Sequence, residues 1–200
     1  MKNLVLISGL LVCGYIFQAC NSGSSADKKD STDSAMSMND STGKNRDTAS
    51  STVSAQPVDK ACTDFAIKAA GGGMMEVELG KIAQDKAVSQ RVKDFGAMMV
   101  KDHSKGNDDL MARAKSQNIS LPPIVGHDEQ KMIDMLSKKT GAAFDKAYMN
   151  MMLGDHKNDI AEFKEAAEKC TNPSIKDFAS QTLPVLEKHL DSAKAITGKN

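Results

Sequence analysis

The chain has 200 residues with 26 basic and 26 acidic side chains, so its formal charge is zero, and it has no Trp and only 4% aromatic residues. With neither a basic stripe nor a stacking platform, nucleic acid is excluded as a partner. A Gly-rich phosphate loop, a Gly-x-Ser-x-Gly elbow and a Cys-x-x-Cys pair are also missing from the sequence; with no catalytic motif, the chain does not read as an enzyme.

Residues 1–19 read as an export signal: Lys2 supplies positive charge, Leu4 to Phe17 an apolar run, and Ala19-Cys20 a small residue followed by cysteine. The run is too short for a membrane-spanning helix. The segment resembles a bacterial lipoprotein signal, which implies cleavage before Cys20, lipidation of Cys20, and a protein held by that lipid at the bacterial cell envelope, on the outer membrane or the periplasmic face. Residues 20–56 then form a polar tether, because Ser, Thr, Asp, Lys and Asn with almost no large apolar residue cannot bury enough surface to offset chain entropy. Residues 57–200 are the right size for one domain with a core.

In that domain Ala, Met, Lys, Glu and Asp dominate, and apolar residues recur at steps of three and four, which predicts an all-α fold. The expected helices run over about 59–86, 88–117, a short connecting piece 128–139, then 142–169 and 173–197. Leu121-Pro122-Pro123 and Gly141 interrupt the pattern, and Asn172-Pro173 supplies an N-cap followed by Pro at the first helical position. Pro184 is expected to kink the last helix, at about 3 kcal/mol. The four long segments suit a four-helix bundle.

One pattern occurs twice: Met98-Met99-Val100-Lys101-Asp102-His103 returns as Met151-Met152-Leu153-Gly154-Asp155-His156, in a chain with four histidines. In each copy a Met precedes the His by four residues, on the same helical face. The inward stripes read Phe65, Ala69, Gly72, Glu76, Leu79, Ala83 on the first helix and Val92, Phe95, Met99, His103, Leu110 on the second. The third carries Met149, Met152, His156, Ile160, Phe163, and the fourth Phe178, Thr182, Leu186, His189, Ala193, Ile196. Each seam holds one ligand-type residue near mid-helix, namely Glu76, His103, His156 and His189, so all four fall at similar heights. Three imidazoles and a carboxylate are a suitable ligand set for one ion of zinc, iron or copper. Met99 and Met152 are candidate additional ligands, which would favour copper(I); the bland reading of 13 methionines is adaptable core filler. Asp102 and Asp155 read as surface carboxylates or as partners that orient an imidazole. His127 is given no role, and Glu78 should face solvent. Gly71-Gly72-Gly73 implies close approach of a neighbouring helix or room beside Glu76, since each glycine costs a helix about 1 kcal/mol; the bland reading is a local break in the helix.

Several motifs in fixed order carry a likeness: Gly73-x-x-Glu76-Val77-x-Leu79-Gly80, Phe95-x-x-x-Met99-Val100-x-Asp102-His103-Ser104, Leu121-Pro122, Gly141-x-x-Phe144-Asp145-x-x-Tyr148-Met149, Asp155-His156, and Thr182-Leu183-Pro184-Val185-Leu186-x-x-His189-Leu190. Over about residues 59–197 the chain resembles the bacterial family catalogued as domain of unknown function 4142. The resemblance implies a ferritin-like bundle in an exported protein, and no activity. The Glu-x-x-His pairs of di-iron proteins are absent, because Val100, Leu153 and Leu186 stand three residues before the histidines. A single ion fits this ligand count better than a di-iron centre.

Cys62 and Cys170 are the two cysteines left beyond the signal, and in a compartment where disulfides persist they are expected to form one. They meet only if the segment from about 119 to 141 climbs back along the bundle as a ferritin-like crossover; a simple up-down bundle would leave them at opposite ends. Two functional readings follow from the sequence: a lipoprotein whose bundle core binds one transition-metal ion, and, from a different class, a metal-free structural or interaction module of the envelope. No protein partner is legible.

Overall fold

The computed structural model describes residues 58–199 together with Thr32, Ala35, Met36, Met38 and Asn39. Cys20 and the signal segment lie outside the described residues, as does most of the segment read as a tether. Within that segment the five described residues are helical, and Asn39 exchanges hydrogen bonds with the backbone N–H and C=O of Ser120 at 3.0 and 3.2 Å. Among the described residues of the domain there are helices only: α1 Lys60–Lys86, α2 Gln90–Ser116, α3 His127–Ser137, α4 Gly141–Lys169 and α5 Pro173–Thr197.

The helix ends follow local chemistry. Asp59 caps α1 by accepting from the Cys62 N–H at 2.7 Å, and Asn172 caps α5 by accepting from the Ile175 N–H at 3.1 Å. Helix α2 starts at Gln90 rather than at the expected 88, because the Asp145 carboxylate on α4 accepts from the Val88 and Ser89 N–H groups at 3.2 and 2.9 Å. Those donors hold the turn extended and tie it to α4. Helix α5 continues through Pro184, and α1 continues through Gly71-Gly72-Gly73.

Helices α1 and α2 form one close pair and α4 and α5 another; α2 also packs on α5, and α1 on α4. The Cys62–Cys170 disulfide, with Cα atoms 5.2 Å apart, joins the start of α1 to the end of α4, so these two helices are antiparallel. Arg113, late in α2, donates to the Ser174 carbonyl at the start of α5 at 2.8 Å, and Arg91, at the start of α2, donates to the Ala195 carbonyl at 2.8 Å. Every adjacent pair is thus antiparallel. The chain between α2 and α4 therefore returns along the length of the bundle, carrying α3 against α1, and the long crossover topology holds over the simple up-down one.

Two glycines set the α1–α2 spacing. A Cβ on Gly80 would lie 2.6 Å from the Gly96 carbonyl oxygen, and one on Gly96 would lie 2.7 Å from that of Gly80. Only bare backbones can approach so closely. The core then fills in two parts. Phe65, Leu110, Phe163, Ile175, Phe178 and Leu186 cluster at the disulfide end, while Leu79, Phe95, Met99, Phe144, Tyr148 and Met152 cluster at the other. Burying each such side chain contributes roughly 1.5–3 kcal/mol.

Candidate metal centre

Between the two apolar clusters lies a polar layer built from one seam of each long helix. Helix α1 presents Glu76, α2 His103, α4 His156 and α5 His189; Glu76 is 3% exposed, and His156 and His189 are 0% exposed. The position of each on its stripe follows from 3.6-residue periodicity, with apolar neighbours a turn away on both sides forcing the polar residue inward. The antiparallel packing brings the four mid-helix positions to one height.

They converge. One ring nitrogen from each of His103, His156 and His189 lies within 4.8 Å of the others. Glu76 Oε2 accepts from His103 Nδ1 at 2.8 Å, and Glu76 Oε1 lies 3.5 Å from His156 Nε2. The contact between His156 Nε2 and His189 Nδ1 is 3.2 Å. Two outer contacts orient the rings: the Met152 carbonyl is 3.0 Å from His156 Nδ1, and Asp102 Oδ2 is 3.0 Å from His189 Nε2.

These outer contacts determine where the protons sit. A backbone carbonyl only accepts, so His156 Nδ1 carries hydrogen and donates; the Asp102 carboxylate only accepts, so His189 Nε2 donates. Burial disfavours the charged form of both rings, holding His156 below the usual histidine value and pressing His189 down to about 4. Both are then neutral imidazoles. Their remaining nitrogens, His156 Nε2 and His189 Nδ1, carry lone pairs and face each other at 3.2 Å, with no hydrogen left to place between them. Glu76 Oε1 and His103 Nε2 are buried without a hydrogen-bond partner.

The Glu76–His103 pair is the charged part of the layer. Burial alone would raise Glu76, but His103 and its hydrogen bond outweigh that and hold the carboxyl below its usual range. Burial alone would lower His103, and Glu76 reverses the sign and raises it. Two further carboxylates flank the layer on α4. Burial, reinforced by the Glu76 charge, pushes Asp155 up to about 7 and Asp159 up to about 9.

A family model described as "Domain of unknown function (DUF4142)" matches residues 47–196. The chain belongs to this family. The crystal structure of a DUF305 fragment from Deinococcus radiodurans matches with a TM-score of 0.62 at 12% identity, covering 72% of this chain and 99% of that one; at that identity the likeness shows the fold alone. No curated protein matches.

The four seam residues expected from the sequence of this DUF4142 member therefore do come together. Met99 and Met152 belong to the apolar cluster beside the layer, and Met152 meets the site through its carbonyl oxygen. Asp102 does orient an imidazole, though it is His189 on α5 rather than its chain neighbour His103. Hydrogen bonds of the three imidazoles go to Glu76, Asp102 and Met152, not to Asp155. Sequence reasoning passed over Asp159, which forms a second ligand-type grouping with Glu76 and His156 within 4.8 Å. Its signal was the spacing His156-x-x-Asp159, which places both on one helical face. His127 opens α3 at the surface, and the exposed Glu78 pairs with Lys81 at 3.3 Å.

Proposed function

We propose that this domain binds one transition-metal ion between its four long helices, through His103, His156, His189 and Glu76, and that it does so as a lipid-anchored protein of the bacterial cell envelope. The reading serves binding, storage or sensing of the ion and not turnover of a substrate. One observation carries it: His156 Nε2 and His189 Nδ1, the ring nitrogens not engaged by the Met152 carbonyl and the Asp102 carboxylate, face one another at 3.2 Å. Two nitrogens bonded to one tetrahedral ion at roughly 2.0–2.1 Å stand about 3.3 Å apart. A cation between them converts a repulsive contact into two ligand bonds. It also gives partners to Glu76 Oε1 and His103 Nε2, which burial otherwise leaves at a cost of several kcal/mol.

The ligand chemistry favours zinc, iron(II) or copper(II), for which imidazole and carboxylate are ordinary donors. Copper(I) would need Met99 and Met152 to leave their apolar packing. The outer hydrogen bonds that the imidazoles donate to the Met152 carbonyl and the Asp102 carboxylate are of the kind that fix the tautomer of a metal-bound histidine.

Titration of metal-free protein with zinc, iron(II), copper(II) and copper(I), beside the His103→Ala/His156→Ala variant, tests the reading. Tight one-to-one binding in the native chain that the variant loses by at least 100-fold supports it. Equal, weak binding in both proteins would leave the layer as a metal-free polar network and the protein as a structural module. Envelope anchoring is tested separately, since Cys20→Ser should release the protein into the soluble fraction; retention in the membrane would refute lipid attachment at that residue.

A further inference from the structure

The three glycines of α1 do not share one explanation. A Cβ on Gly73 would run into the amide end of the Asn107 side chain on α2, so this position is occupied by a neighbour. One on Gly71 would make an ordinary 3.5 Å contact with Glu129. A Cβ on Gly72 would meet nothing within 4 Å, and the same holds for Gly106, in the middle of α2. A helix-interior glycine costs about 1 kcal/mol relative to Ala, and at these two positions no crowding requires it. What they share is a cavity of about 60 Å³, which both of them line together with Glu76, His103, His189 and Asp159. Glu76, almost wholly buried with Oε1 unpartnered, lies in its wall.

We infer that this cavity is a binding pocket for a small exogenous ligand of about three heavy atoms that donates a lone pair to the bound metal ion, with Gly72 and Gly106 keeping the space open. The inference rests on the metal reading above and extends it, making the centre an open one. A void of this size holds a few water-sized atoms, and its walls include Glu76, His103 and His189 from the ligand set, together with Asp159, whose carboxylate lies within 4.8 Å of the ligand atoms of Glu76 and His156. A further ligand beside the four protein ligands makes the ion five-coordinate, an expansion open to zinc-type ions.

The test uses the full-length chain and azide as the probe. Copper(II) is titrated first, to establish one-to-one loading; azide is then added, and its charge-transfer absorption on copper(II) is followed. The native protein should bind one azide per copper. Gly72→Leu should weaken azide binding at least tenfold while changing copper affinity less than twofold, and the milder Gly72→Ala/Gly106→Ala variant should weaken it in the same direction. Thermal unfolding of each variant verifies that it is folded. Copper binding without an azide signal, or azide affinity unchanged in both variants, overturns the inference while the metal reading stands. Failure of one-to-one loading by copper(II) and by the zinc and iron(II) of the titration above overturns the metal reading, and this inference with it; loading by zinc or iron(II) without copper(II) overturns this inference alone.

Discussion

The disulfide end of the bundle and its central histidine layer use opposite physical means to hold the same four helices. At the disulfide end Phe65 and Phe163 meet edge to face at 4.9 Å, Phe163 and Phe178 pack at a tilt with ring centres 5.9 Å apart, and a covalent bond joins α1 to α4. Asp59 there accepts from the N–H groups of Cys62 and Thr171 and from the Thr171 hydroxyl, so capping and tertiary contact share one carboxylate. In the histidine layer two lone pairs oppose one another, and a carboxylate oxygen and a ring nitrogen have no partner. The difference separates a region held by paired groups from one whose unpaired groups underlie the proposed metal site.

Removing the staple should produce the largest change. Cys62→Ser/Cys170→Ser opens a loop of 108 residues, and the chain-entropy account gives a loss of about 4–5 kcal/mol, to be read from denaturant unfolding of metal-free protein. The next effect addresses the other region. Zinc at 100 times its dissociation constant should raise the unfolding free energy by about 2.7 kcal/mol. The increment should persist in the cysteine variant and vanish in His103→Ala/His156→Ala, because staple and site lie in different parts of the core. Its loss on removing the disulfide would show that the two regions act as one.

Smaller effects sharpen the contrast along a single helix. Gly80→Ala places a Cβ against the Gly96 carbonyl and should cost about 1–3 kcal/mol by overpacking, whereas Gly72→Ala, facing open space, should gain up to about 1 kcal/mol. Thermal unfolding of the two variants checks the opposite signs. Asp59→Ala should cost about 1 kcal/mol at neutral pH through the lost cap. Burial acts to raise this carboxyl, but hydrogen bonds from Thr171, Cys62 and Ala61 outweigh it and hold its value below the usual carboxylate range. A folded-state value depressed below the unfolded one means that the stability is present above the unfolded value and lost as pH falls through the folded one. The gap between native and variant should therefore close on acidification below about pH 4, and a gap independent of pH would refute the assignment.

Much of this was legible in the chain. Stripes repeating every three to four residues place Glu76, His103, His156 and His189 inward whatever surrounds them, and the expected helix ends lie within two residues of the observed ones. The two remaining cysteines pointed to the crossover. Less legible was the partner of each imidazole. Asp102 reaches His189 across 87 residues of chain, and nothing in its local spacing distinguishes that from contact with His103. Asp159 is not legible in the chain because a carboxylate on a helix flank looks solvated until the fold half-buries it beside Glu76.

By itself the sequence determined the all-α class, the four seams, the ligand-type residue on each, and the cysteine pair, since all of these depend on local periodicity or on residue identity. Only the tertiary structure decided which nitrogen faces which, where the unpartnered atoms lie, that Gly80 and Gly96 form the close crossing, and that Gly72 and Gly106 border open space. Those features depend on the rotation and depth of each helix against its neighbours, quantities settled by side chains far apart in the chain filling one volume together.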